Sequence, residues 1–288
     1  MCRIRHEALS WIRMRWVVWI WVGTAWAQTF ELPATAKQGG VIRVGGPAAA
    51  AAARMGDRKV RLFPQTDGGA LGLMPIPADQ KPASYRVELL DEKGAVLSTS
   101  EVAVIDAHFR KQNVVIEQNV AGLQASPGES ESAMSFRQAV SEVRYWSEPL
   151  AVPVRGCMTS PYGVQRYLNG KPTGNIHAGL DQRAPMGTPV RAVADGVVKI
   201  VREWNVHGHT IGIDHGQGLY VPTFVSLRGS GRSNREKGDV IGYSGTTGRS
   251  NAPHLHWTLY VNGVPVNPLE WVKVASCYAG PSNARPKR

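Results

Sequence analysis

From His254 to Val261 the chain alternates polar and apolar side chains, His-Leu-His-Trp-Thr-Leu-Tyr-Val, and an Asn262-Gly263 pair follows at once. Alternation with period two predicts a β-strand that buries one face. Asn-Gly is the dipeptide of a tight type I′ hairpin turn, so Val264-Pro265-Val266 can begin the return strand. The pattern commits this part of the chain to antiparallel β structure. His254, His256, Thr258 and Tyr260 then share one face, and Leu255, Trp257, Leu259 and Val261 share the other. Two imidazoles projecting from an apolar-backed strand form a platform for a metal ion.

A catalytic zinc site takes three protein ligands, drawn from neutral imidazoles and carboxylates, and keeps a fourth position for water. His177 and Asp181, in His177-Ala178-Gly179-Leu180-Asp181, together with one histidine of the His254-Leu255-His256 pair, meet that count. The other histidine would stand beside the bound water, where a base is useful. A His-x-x-x-Asp spacing alone is common, and alternating strand histidines alone more often form a solvated face. The flanking sequence decides between these readings.

Around the two halves run Ser160-Pro161-Tyr162-Gly163, Asn169-Gly170-Lys171-Pro172, Ala184-Pro185-Met186-Gly187-Thr188-Pro189-Val190 and Asp195-Gly196-Val197-Val198. Further on come Asp214-His215-Gly216-Gln217-Gly218, Lys237-Gly238-Asp239-Val240-Ile241-Gly242 and Gly245-Thr246-Thr247-Gly248-Arg249-Ser250. In this order, over about residues 150 to 275, the chain resembles the lysostaphin-type, LytM-like zinc metallopeptidases. The resemblance implies a compact antiparallel β core with a groove, one zinc ion, and hydrolysis of peptide bonds in bacterial cell-wall peptidoglycan. By matching position, His177, Asp181 and His256 look like the zinc ligands and His254 like one of two catalytic histidines. Asn169 looks like a polar group beside the ligands.

The second catalytic histidine is missing. The family places it in a Thr-x-Tyr-x-His-Leu phrase, and the corresponding run here is Pro222-Thr223-Phe224-Val225-Ser226-Leu227, with Ser226 in the histidine's place. A serine hydroxyl is no base at neutral pH, and loss of an acid/base group typically costs about 10²- to 10⁴-fold in rate. A zinc metalloendopeptidase of reduced activity is therefore expected, with a catalytically impaired peptidoglycan-binding or regulatory module as the alternative. The loop that follows, Arg228 to Glu236, has no apolar residue where relatives carry a part-apolar strand. Divergence of the groove wall and a compensated reading-frame slip within about residues 219 to 236 both account for it.

His207 and His209 also alternate, and either could face the groove in place of the missing base or sit on a strand surface or turn. His215 precedes Gly216 at a strand end, where it serves the turn.

The chain has 288 residues, enough for two domains and a targeting segment. Residues 1–27 read as a secretory signal peptide. Four arginines precede the apolar run Trp16 to Val22, and Ala25-Trp26-Ala27 is an A-x-A cleavage pattern. An uncleaved anchor is the alternative. Export to the periplasm or the extracellular face of the cell envelope is expected, with no integral membrane partner. Cys157 and Cys277 lie near the two ends of the metallopeptidase region and either form a disulfide or remain thiols. The formal charge is +11, and loss of residues 1–27 leaves +8. A basic exported chain suits an anionic cell-wall polymer. The lysines and arginines are scattered and no aromatic-basic motif occurs, so nucleic acid is not an expected partner.

The fold class expected is mainly β. Residues 28–107 read as a small β-sandwich, from alternating runs at Val41–Val44, Lys59–Phe63 and Tyr85–Leu89, the last turning through Asp91-Glu92-Lys93-Gly94 into Ala95–Leu97. Resemblance to exported family members implies an immunoglobulin-like domain here that positions the enzyme or covers its groove. The Ala48–Ala53 run suits a helix by propensity, although Gly45, Gly46 and Pro47 before it favour a loop equally. Residues 108–150 read as a linker, with a helix from about Ser132 to Tyr145 whose stripe Phe136, Val140 and Val143 marks a packing face. Residues 151–275 form the LytM-like domain and 276–288 a basic tail. The sequence leaves the oligomeric state open.

Overall fold

In the N-terminal part the period-two runs become two sheets with a shared core. The computed structural model describes residues 30, 32–115, 117, 120, 122–138, 140–224, 233–250 and 252–278. The proposed leader and Ser226 with most of the loop after it lie outside the described residues. One sheet has the order Thr35–Lys37, Val96–Ile105, Ala83–Leu90, Ala52–Met55 and Arg58–Arg61, and the other Val41–Pro47, Gly69–Pro75 and Phe63–Pro64. Ile42, Val44 and Met74 from one sheet meet Ala53, Met55, Val87, Leu89, Val102 and Val104 from the other. Sandwich packing of this kind is what alternating strands with one apolar face require. The first strand pairs in parallel with Val96–Ile105, and the immunoglobulin likeness stays an expectation.

The expected run Lys59–Phe63 is divided at Leu62, with its two parts in different sheets. The alanine run is likewise not helical. Ala52–Met55 is an inner strand between Ala83–Leu90 and Arg58–Arg61, and Ala53 there is fully buried. Helix propensity amounts to a few tenths of a kcal/mol per residue, and cross-strand burial overrides it.

The C-terminal body is built on a nine-stranded sheet whose path runs Met158–Ser160, Leu180–Arg183, His254–Trp257, Leu219–Phe224, Gly208–Gly216, Gly196–Trp204 and Asn234–Arg235. Leu259–Val261 pairs with Leu219–Phe224 and with Val264–Val266 across the Asn262-Gly263 turn. The sequence-predicted strand from His254 to Val261 is interrupted only at Thr258. The register on either side places Thr258 opposite Pro222, which lacks the N–H that the ladder needs there. Leu255, Trp257, Leu259 and Val261 are fully buried on the back of this strand, against Leu180, Ile213, Leu219 and Trp271. His215 is also fully buried. Burial pushes its imidazole down to about 4, and the neutral ring bonds through Nδ1 to the Asp195 carbonyl, tying two turns together as its place in the sequence suggested.

Residues 108–150 are integrated with this body rather than forming a free linker. Lys111–Val114 pairs in parallel with Gln165–Leu168, extending the hairpin that strand makes with Lys171–Ile176. Trp146 and Leu150 enter the main core. The helix spans Glu129–Gln138, earlier than the stripe predicted, and of that stripe only Phe136 is buried, while Val140 and Val143 are exposed. Beyond the helix, backbone hydrogen bonds to the Gly208–Gly216 and Leu219–Phe224 hairpin take over: Gln217 N–H donates to the Ser141 carbonyl and Tyr145 N–H to that of His215. At the other end of the helix the Glu129 carboxylate is fully buried and accepts from the Ser126 and His207 backbone N–H groups and from the His207 ring. Burial would raise the Glu129 carboxyl, but these donors hold it below its ordinary value.

The N-terminal sandwich docks at the end of the sheet remote from His254. Asn262 donates to the Leu73 carbonyl, Asn267 N–H to that of Gly39, and Arg43 pairs with Glu148 at 2.6 Å.

Candidate metal centre

Asp181 and His256 face one another across an antiparallel strand pair, with Leu180 opposite Trp257 and Asp181 opposite His256. His177 stands just before the first of these strands. Gly179 between them permits the close approach, because a Cβ there would lie 2.3 Å from the Trp257 carbonyl oxygen and 2.9 Å from His256 Cε1. Three atoms converge as a result. His177 Nε2 is 3.1 Å from Asp181 Oδ1 and 3.0 Å from His256 Nδ1, and His256 Nδ1 is 2.7 Å from Asp181 Oδ1.

The outer contacts orient the two rings. His177 Nδ1 lies 2.8 Å from the Pro161 carbonyl and so carries its hydrogen there, leaving Nε2 as a lone pair. His256 Nε2 lies 3.1 Å from Thr258 Oγ1, which can accept its hydrogen and so free Nδ1 for a metal. Burial pushes the His256 imidazole down to about 4. Burial would raise the Asp181 carboxyl, but the facing imidazoles hold it well below the usual carboxylate range. His177 Nε2, Asp181 Oδ1 and His256 Nδ1 thus turn three atoms able to ligate a metal towards one point. The separations fall a little below the edge of a zinc tetrahedron, about 3.3 Å for metal–nitrogen bonds of about 2.05 Å, so the donor set fits zinc in both chemistry and size.

Arg166, which the sequence gave no reason to single out, closes the other side of the carboxylate: its Nη2 is 2.5 Å from Asp181 Oδ2. This leaves Oδ1 for the convergence point. His254 lies in the same groove, its Nδ1 2.8 Å from the Ala252 carbonyl, so that its hydrogen is placed there and Nε2 is an acceptor. The groove has a volume of about 310 Å³, and its walls include Ala133, Phe136 and Arg137 from the connector helix. Among the described residues, none before Ala133 lines it, so it is the connector, and not the N-terminal sandwich, that borders the groove.

Two other sequence candidates fall elsewhere. Asn169 has φ of +50° and, with Gly170 at +81°, makes the tight turn between Gln165–Leu168 and Lys171–Ile176; it is exposed, and the nearby groove wall is made by Arg166, Thr173 and Asn175. His209 is on the wrong face to act in the groove. Alternation places it with Ile211 and Ile213, whose side chains enter the core, and its Nε2 is 3.0 Å from Glu203 across the hairpin. The groove-lining neighbours are His207, held by Glu129, and Thr210.

The sequence profile of peptidase family M23 matches residues 175–268. The DD-carboxypeptidase/endopeptidase Mpg of Neisseria meningitidis is 39% identical over 115 residues, which is 39% of this chain and 26% of that protein. The peptidoglycan DD-endopeptidase ShyA of Vibrio cholerae is 39% identical over 97 residues, 33% of this chain and 22% of its own length. The chain thus spans about a quarter of these relatives. A crystal structure described as a putative peptidase M23 from Pseudomonas aeruginosa superposes with a TM-score of 0.63 at 22% identity, over 81% of this chain and 93% of that one, and so shares its fold. Residues 175–268 of this chain are a domain of peptidase family M23.

Proposed function

We propose that the protein is a zinc-dependent endopeptidase that hydrolyses peptide bonds of bacterial cell-wall peptidoglycan, slowly because Ser226 replaces an acid/base histidine. One observation carries the reading: three atoms able to ligate a metal, on His177, Asp181 and His256, converge within 3.1 Å on the wall of an open groove. The names of the relatives support the substrate. His177 Nε2, Asp181 Oδ1 and His256 Nδ1 would hold one ion. When bound, zinc supplies a Lewis acid for the scissile carbonyl and lowers the pKa of water towards neutrality. His254 Nε2, with its ring fixed through Nδ1, accepts a proton from the attacking water and returns it to the leaving amine. Export, with removal of a leader near Ala27, would bring the enzyme to this substrate.

Purified protein should contain one zinc per chain and release soluble peptide fragments from isolated peptidoglycan. A chelator should stop the release and added zinc restore it. Zinc binding without any fragment would instead support the binding or regulatory module that Ser226 suggests.

Arg166 acts through Asp181. Without its guanidinium the carboxylate loses the partner that fixes its orientation, and loss of such an outer contact typically weakens metal affinity about 10- to 100-fold. Arg166→Ala is expected to show that loss in a zinc competition titration against a chelating dye. Unchanged affinity would remove Arg166 from the site.

A further inference from the structure

The charged groups around the groove are unequal in sign. Among the described residues it is lined by three guanidiniums, of Arg137, Arg166 and Arg249, and by one carboxylate, Asp181. Asp181 is already engaged by Arg166 and the two imidazoles. Arg137 rises from the connector helix. Its Nε donates to the Ala133 carbonyl at 2.9 Å, and its guanidinium lies 5.1 Å from the centre of the Tyr260 ring, on the same row as His254 and His256. Arg249 comes from the loop before the His254–Trp257 strand, with Nη2 donating to the Leu123 carbonyl at 2.9 Å. Among the described residues neither pairs with a carboxylate, whereas Arg43, Arg54 and Arg61 pair with Glu148, Glu88 and Glu142. A guanidinium oriented by carbonyls and a ring, and lacking a counter-charge, is pre-set for a planar anion, since its fork matches the two oxygens of a carboxylate.

We propose that Arg137 and Arg249 determine the specificity of this groove by anchoring a free carboxylate of the peptide substrate. The proposal rests on the peptidase reading above and deepens it. Tyr260 is four residues from His256, about 13 Å along a strand at about 3.3 Å per residue. The carboxylate that Arg137 meets therefore belongs to a residue about three or four positions from the bond cut in an extended peptide. The connector helix, by carrying Arg137, is part of the substrate site.

The test uses one dye-labelled, cross-linked peptidoglycan peptide in two forms, one with its free carboxylates and one with those groups converted to primary amides. KM and kcat are measured for both with the zinc-loaded protein, and Kd by fluorescence anisotropy before turnover. A hydrogen bond from a charged group is worth about a 10- to 100-fold difference in binding. The acid form should therefore show a KM and a Kd lower by about that factor. The preference should shrink in Arg137→Gln, nearly vanish in the double variant with Arg249→Gln, and weaken as salt rises. Thermal melting confirms that the variants are folded. Equal constants for the two peptides, or an undiminished preference in the double variant, overturn the proposal. Preference in binding with no cleavage of either peptide would leave the carboxylate site standing and overturn the peptidase reading.

Discussion

His256→Ala is expected to lose both zinc and peptide hydrolysis, whereas His254→Ala keeps the zinc and loses rate alone. The two histidines are two residues apart on one strand, but their outer contacts set them different tasks. His256 turns Nδ1 towards Asp181 and His177, while His254 spends Nδ1 on a backbone carbonyl. An apparent zinc-binding free energy of about 10–16 kcal/mol for a structural site of four protein ligands is about 2.5–4 kcal/mol for each, so loss of one of the three ligands here should weaken binding roughly 100- to 1000-fold. Hydrolysis by His256→Ala should accordingly fall to background at ordinary zinc concentrations. His254→Ala should bind zinc with wild-type affinity and be slower by about 10²- to 10⁴-fold, the usual cost of a missing proton acceptor. Metal content after dialysis and initial rates on the same preparations check both. A fully lytic His256→Ala, or a His254→Ala emptied of zinc, would refute the division of roles.

Removing the disulfide is the second large effect. Cys157 and Cys277 are bonded, 120 residues apart in sequence, which settles the alternative of two thiols. The bond closes the C-terminal body on itself. Beside it, Met158 N–H donates to the Ala275 carbonyl and Cys277 N–H to that of Met158, so the segment from Ala275 to Cys277 is fastened to the Met158–Ser160 strand. The same strand abuts Asp181 and leads into Pro161, whose carbonyl orients His177. Closing a loop of that length restricts the unfolded chain by up to about 5 kcal/mol on the chain-entropy account, and measured losses are typically about 2–4 kcal/mol. At about 2–4 °C per kcal/mol for a chain of this size, the Cys157→Ser, Cys277→Ser protein should melt roughly 5–15 °C lower by calorimetry. A shift within about 2 °C would show that the loop is held by its sheet contacts alone.

The candidate metal site was legible because its halves are local patterns. His254 to Val261 alternates, and the burial of Leu255, Trp257, Leu259 and Val261 follows that alternation directly. Arg137 and Arg166 were not legible, since nothing near them in sequence signals that one will lie over Tyr260 and the other against Asp181. Asn169 resembled a site residue by its place in a phrase, yet a left-handed conformation in a two-residue turn is sufficient reason for Asn-Gly there. His209 failed as a substitute base for a similar reason. His209 lies in a strand whose Ile211 and Ile213, of the same parity, meet the core, whereas His207 precedes the strand in a turn and so reaches the groove despite that parity.

By itself the sequence determined the period of each strand, the tight turns at Asn and Gly, and the donor chemistry of His177, Asp181 and His256, because these depend on neighbours a few residues away. Only the tertiary structure decided that Asp181 lies opposite His256, that Cys157 meets Cys277, and that the connector supplies an edge strand and one wall of the groove. Register and strand order are fixed by which apolar faces can be buried together, and that is a property of the whole packed chain rather than of any stretch of it.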